Sequence, residues 1–170
     1  MSLDRESAAQ AVRANMSVMT ATMAVMRPFT INGKVWSAPE LVPLLVVDPG
    51  NIDVHIAQCA AWVMFWGVTS ADAKRAVDAH EAAYRVARDT WATRRRAEGK
   101  VTKDALDEEW RTQPEYGTWY DTKGELERAW SAAQFVYEAF NRKANMLSAL
   151  ARMYADEKLA AYAGRTNFAR

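Results

Sequence analysis

Cysteine is nearly missing from this chain: Cys59 is the single one in 170 residues, which excludes an intrachain disulfide and a cysteine-based zinc site. That scarcity fits a reducing, cytoplasmic setting. Histidine is almost as rare, with two residues, and neither a phosphate-binding glycine loop nor a His-Glu-x-x-His motif occurs, so no metal and no cofactor is expected. No membrane span is expected: the longest run free of Asp, Glu, Lys and Arg, residues 54–71, is interrupted by His55, Gln58, Thr69 and Ser70 and is not the roughly 20 predominantly apolar residues a span needs. The opening MSLDRESAAQ has acids where a signal peptide has an apolar core. Internal repeats, low-complexity tracts and long linkers are absent too. What remains is half apolar and rich in Ala, Met and Trp, a helix-leaning composition of a length that suits one domain over 1–170.

The chain is organised around Trp119 to Tyr154. Trp119, Leu126, Ala133, Phe140, Leu147 and Tyr154 recur every seven residues, and Trp130, Tyr137, Ala144 and Ala151 interleave four residues after members of that series. This is an a/d heptad seam. It predicts a helix over about 118–158, free of proline and with Gly124 as its interior glycine. A rod of that length cannot bury its seam alone, so it needs a partner helix in the same chain or in a second copy.

Residues 4–26 read as a helix with Val12, Met16, Met19, Met23 and Met26 on one stripe, stopped by Pro28 and packed as core or subunit interface. Phe29 to Trp36 forms a hairpin around Asn32-Gly33, whose residue types suit the two positive φ angles of a type I′ turn. Ser37 caps a short helix through about Leu45, with Pro39 in its first turn, and Asp48-Pro49-Gly50 breaks it. A second amphipathic helix runs from Asn51 to Trp66 with Ile52, Ile56, Cys59, Val63 and Trp66 on one stripe, and Gly67 is expected to end it. A further helix over 71–97 carries its own seam of Ala73, Val77, His80, Tyr84, Ala87 and Trp91. It is the natural antiparallel partner of the long rod. A short helix over 103–111 follows Thr102. The fold class is all-α: a long antiparallel, coiled-coil-like helical hairpin with shorter N-terminal helices and one small β-hairpin.

Catalytic patterns are weak. His55 and Cys59 lie four apart on one face, but Cys59 sits on an apolar stripe where a thiol acts as a small hydrophobe, and His80 occupies a seam position of a packing histidine. Asp104, Asp107, Glu108 and Glu109 fan around their helix instead of converging as an acid/base pair; they read as a solvated face or a docking patch for a basic partner. The chain does not read as an enzyme.

Charge is the stronger signal, because the net +1 conceals segregation. Residues 74–103 hold nine Lys/Arg against four acids, 104–127 eight acids against two bases, and 128–170 seven bases against three acids. At about 100° per residue, Lys74, Arg85, Arg88 and Arg96 fall near one line with Arg95 close by, away from the packing seam. Arg94, Arg95, Arg96, Lys100 and Lys103 have only Glu98 among them, so the uncompensated charge lies at the hairpin tip. Adjacent arginines suit phosphates, and nearby Trp91, Trp110 or Trp119 suit stacked bases. Packing of Trp91 and Trp119 in their seams, and compensation of a helix C-terminal dipole by the arginines, account for the same residues.

From about Val46 to Tyr154 the order of parts resembles the UvsY-type recombination mediators of tailed phages. The spacing from Asp48 through Ile52, Ala57, Trp66 and Ala73 to Glu81 is similar to that family, as are Glu125-Leu126-Glu127-Arg128-Ala129-Trp130 and the late basic Asn141-Arg142-Lys143. Ala87-Arg88-Asp89-Thr90-Trp91 resembles part of the family's Lys-Ala-Arg-Leu-Asp-Tyr-Tyr-Ser-Gly stretch, with Val86 in place of its lysine and the glycine later, at Gly99. Residues 1–45 have no counterpart in the resemblance.

The resemblance implies a non-enzymatic, ring-forming homo-oligomer in the host cytoplasm that binds single-stranded DNA. Its partners would be a RecA-like recombinase, which it loads, and a single-strand-binding protein, which it helps displace; no membrane is involved. By motif it brings Arg88 to the DNA path. Charge adds Arg94, Arg95, Arg96, Lys100 and Lys103, with Arg142 and Lys143 contributed by the rod. The seam of Trp119, Leu126, Trp130, Tyr137, Phe140, Leu147 and Tyr154 would serve packing and assembly, and Asp104, Asp107, Glu108 and Glu109 a protein partner. A phage virion or scaffold component, and an adaptor or inhibitor that docks a host protein through residues 104–127, account for the same seams and acids.

Overall fold

A computed structural model describes residues 5–47 and 51–167, with side chains described outside 5–13, 15, 157 and 160–167. The chain is all-α with one small β-hairpin, as its periodicity predicts. The elements in order are α1 (Arg5–Ala24), β1 (Phe29–Ile31), β2 (Lys34–Trp36), α2 (Ala38–Leu45), α3 (Ile52–Glu98), α4 (Lys103–Arg111) and α5 (Pro114–Asn167). They gather into two compact units, Met1–Gly67 with Gln134–Arg170, and Val68–Ala133. The helices α3 and α5 each supply a segment to both.

In the first unit the methionine stripe is core: Met16, Met19 and Met23 are buried, while Val12 lies outside the described side chains. The hairpin forms as predicted, with Phe29 opposite Trp36 and Ile31 opposite Lys34. Asn32 at φ 51° and Gly33 at φ 74° make the turn, which is why an Asn-Gly pair stands there. Its apolar face (Phe29, Ile31, Trp36) is buried. At the start of α2 the Ser37 N–H donates to Glu40 Oε2 at 3.0 Å, one arm of a capping box. This helix buries Leu41 and Leu45. The expected break at Asp48-Pro49-Gly50 lies outside the described residues.

Aromatic rings fill the space between these elements. Trp66 and Phe140 are fully buried; Trp36 meets Trp66 at 4.9 Å and Trp62 stacks on Phe140 at 5.8 Å and 19°. Each large apolar side chain buried in this way contributes about 1.5–3 kcal/mol. The Cys59 thiol donates to the Phe140 carbonyl at 3.4 Å, and burial pushes its pKa up, which makes it inert. The distal part of the long rod is therefore partnered within its own chain.

One expectation fails at Gly67. It does not end a helix; α3 runs on from Ile52 to Glu98 as a single element. The glycine eases side-to-side approach: a Cβ there would lie 3.1 Å from the Tyr137 ring of α5, a tight contact that the ring would have to relieve by a small shift. Inside a helix whose backbone bonds continue on both sides, a missing side chain costs about 1 kcal/mol of propensity, which close packing can offset. The long rod also starts earlier than about 118, because Pro114 occupies the first turn of α5, where its absent N–H removes no helical bond.

Candidate nucleic-acid interface

The second unit contains the sequence's basic stretch, and α4 determines its final charge. Thr102 caps α4 by accepting the Ala105 N–H at 3.4 Å. Leu106 and Trp110, one turn apart, are buried, and Trp110 Nε1 donates to the Tyr84 hydroxyl at 2.9 Å. Trp110 also meets Trp91 at 5.4 Å. These contacts fix which face of α4 meets α3. On a helix, Asp107 and Glu109 then flank that apolar face by about 80° on either side, whereas Asp104 and Glu108 point away.

The flanking acids reach arginines of α3. Asp107 pairs with Arg88, and Glu109 accepts from Arg95 Nε at 2.8 Å and Nη2 at 3.4 Å, with Glu98 3.5 Å from the same guanidinium. The Arg88 hydrogen bond holds the Asp107 carboxyl below its usual range, and Arg88 and Arg95 are themselves pushed up by their carboxylates. The expectation that the tip arginines meet only Glu98 is thus corrected. Arg88 and Arg95 are half-buried and occupied by ion pairs, and of the four docking acids only Asp104 and Glu108 stay exposed.

Lys143 is a second correction. It is buried at 3% exposure, and its ammonium donates to the Leu44 and Val46 carbonyls at 2.7 and 3.2 Å. It closes the C-terminal end of α2, where carbonyls lack helical partners and a cation is favoured. A side chain so placed meets no phosphate. Burial lowers its pKa. Arg142, one residue before, is exposed. Of the rod's seam, Phe140 and Leu147 are fully buried, while Trp119, Leu126, Trp130, Tyr137 and Tyr154 are half-buried.

Of the six site cations expected in the second unit, four remain open. Arg94, Arg96, Lys100 and Lys103 are exposed, and among the described residues no salt bridge engages them. They fall within ten residues, at the end of α3, in the connection and at the first position of α4. Arg96, Lys100 and Thr102 border an open concavity there. Of the four cations Arg94 also lines a cleft of about 560 Å³, together with Trp91, Trp110, Trp119 and the carboxylates Glu98 and Glu115. The arrangement sets one free cation, Arg94, next to aromatic faces, the combination that phosphates and bases require, with three more free cations within the same ten residues. Among the described residues no cluster of three or more His, Cys, Asp or Glu suits a metal ion, and no described helix is long and apolar enough to cross a membrane.

Sequence reasoning missed the Arg88–Asp107 and Arg95–Glu109 pairs, 19 and 14 residues apart, because helical i,i+4 logic sees only one helix. The signal was present in Leu106 and Trp110, which define the buried face of α4 and so the acids beside it. No protein-family model, no curated protein and no solved structure matches this chain.

Proposed function

We propose that this chain is a non-enzymatic protein that binds single-stranded DNA through residues 94–103 and acts as a recombination mediator. The observation that carries the reading is the run of exposed cations Arg94, Arg96, Lys100 and Lys103, of which Arg94 lines a cleft with Trp91, Trp110 and Trp119. Guanidinium groups grip phosphates in a bidentate way, and free ones lose no ion pair in doing so. Loading of a RecA-like recombinase, displacement of a single-strand-binding protein and ring assembly rest on the resemblance of residues 46–154 to the UvsY-type family. Asp104 and Glu108 are the acids left for a protein partner.

The test is anisotropy of a labelled single-stranded oligonucleotide titrated across salt concentrations, with oligomer mass measured on the same sample. Affinity is expected to fall steeply with salt, and the double change Arg94→Glu with Arg96→Glu to weaken binding and flatten the slope by roughly 0.7 per lost phosphate contact. No binding at low salt, or an unchanged slope, overturns the reading.

A second reading, an assembly protein using protein contacts alone, is favoured by one observation in the first unit. Val54, Ala57, Ala61 and Met64 follow a 3,4,3 spacing along α3 and are exposed, with Met64 at 74% and Phe65 beside it at 44%. An apolar stripe of that period suits a helix of a second copy. It predicts an oligomer without DNA affinity, and the same titration separates the two.

A further inference from the structure

The second unit holds another cleft, of about 550 Å³, that the cation reading does not use. Tyr84, Tyr116, Trp119, Tyr120 and Gly124 line it. Two features prepare it for a flat ring. Tyr116 and Tyr120, one turn apart on α5, lie nearly parallel at 6.3 Å and 22°, and Tyr120 is 68% exposed. A ring so open leaves most of its surface to solvent. On the same helix, Trp119 is held by His80 of α3, whose Nε2 lies 2.9 Å from the Trp119 carbonyl and whose ring is 4.7 Å from the indole. Tyr84 meets Trp119 edge-on at 6.0 Å. At Gly124 an added Cβ would touch nothing within 4 Å, so the cleft has unfilled room beside the tyrosines.

Its charges are mutually satisfied. Lys123 lies 2.8 Å from Glu81 and 3.6 Å from Glu127, and Arg85 lies 3.6 Å from Glu81. A phosphate would have to break these pairs in the presence of two carboxylates, whereas a neutral aromatic ring leaves them in place. The cleft thus suits a neutral flat ring better than a phosphate. Position adds to this: Trp119 is a wall of this cleft and also of the cleft that contains Arg94. Along α3 the matching aromatics Tyr84 and Trp91 are two turns apart, roughly 10 Å.

We propose that the Tyr84/Tyr116/Trp119/Tyr120 cleft is a base-stacking subsite on the single-stranded nucleic-acid path whose phosphates are held by Arg94, Arg96, Lys100 and Lys103. This inference rests on the DNA-binding reading above and adds which residues receive the bases. It accounts for an exposed tyrosine pair and for an open glycine that packing does not require.

The experiment compares oligo(dT) with an abasic sugar-phosphate chain of the same length and charge. The full-length protein is expected to prefer oligo(dT) by about 5- to 150-fold for a stacked base. In Tyr116→Ala with Tyr120→Ala the preference collapses toward one while the salt slope is kept. Gly124→Leu, which fills the cleft from an open position and favours the helix, gives the same collapse with unchanged circular dichroism. Arg94→Glu with Arg96→Glu weakens both polymers and keeps their ratio. If wild type binds both polymers equally, or if the variants keep the preference, the subsite is refuted while the phosphate reading stands. If neither polymer binds, the DNA-binding reading falls and the subsite with it.

Discussion

The two units are held together by different physics. The first buries tryptophan, phenylalanine, leucine and methionine completely, from Met23 through Leu41, Leu45 and Trp66 to Phe140 and Leu147. In the second the buried apolar residues are Val77, Ala92, Leu106, Trp110 and Ala133, and ion pairs and ring contacts link α3, α4 and α5: Arg88 to Asp107, Arg95 to Glu109, Glu81 to Lys123, Trp110 to Tyr84. Burial is non-directional and strong, so it makes a scaffold; paired charges at a surface are weak but orient side chains. A binding surface needs orientation more than depth, and the candidate site lies in the second unit.

That contrast can be broken most forcefully in the first unit. Phe140→Ala should lower stability by about 3–5 kcal/mol, because it opens a cavity under Trp62, and a shift of the urea midpoint measures it. A loss below about 1 kcal/mol would mean that the aromatic cluster is not the scaffold. Lys143→Met keeps much of the side-chain volume but leaves the Leu44 and Val46 carbonyls without their donor, at a cost of about 1–3 kcal/mol. The same variant sharpens the contrast through pH. Burial places the folded pKa of Lys143 below the value of a free lysine. Between those two values the unfolded chain binds a proton that the folded chain lacks, so stability rises with pH over that alkaline window. Lys143→Met removes this rise; a profile unchanged by the substitution contradicts the buried ammonium.

The second unit should respond at the opposite end of the scale. The carboxyls of Asp107 and Glu81 are held below their ordinary values by Arg88 and Lys123. Their contribution is complete above the unfolded carboxylate pKa, about 4, and is lost as acid carries the solution through the lower folded value. Asp107→Asn should therefore reduce the acid sensitivity of the second unit and cost less than either change in the first, as read by hydrogen exchange of α4 amides. Smallest is Gly67→Ala. A gain of about 1 kcal/mol in helix propensity opposes the 3.1 Å contact with Tyr137, and the two should cancel to within about 1 kcal/mol in a thermal melt. A loss beyond about 2 kcal/mol would show that Tyr137 cannot yield.

Much of this was legible in the residues. Periodicity located the helices, Asn32-Gly33 the hairpin turn, Thr102 the start of α4, and the stripes of Cys59, Trp66, Phe140 and Leu147 the buried face. These are local properties: a helix face and a turn depend on residues a few positions apart. Gly67 was misread because a glycine inside a helix and one just after its end look alike until the neighbouring ring is seen.

Charge divided along the same line. The sequence alone established that basic residues crowd positions 74–103 and acids 104–127, and hence that opposite charges exist to be paired or presented. Only the tertiary structure decided which cations remain open: Arg88 and Arg95 are neutralised by acids of α4, Lys143 is drawn inside to close α2, and Arg94, Arg96, Lys100 and Lys103 face solvent. The physical reason is distance. An ion pair forms within about 4 Å, and which side chains come that close across the chain depends on how the apolar faces of different helices meet, which no single helix contains.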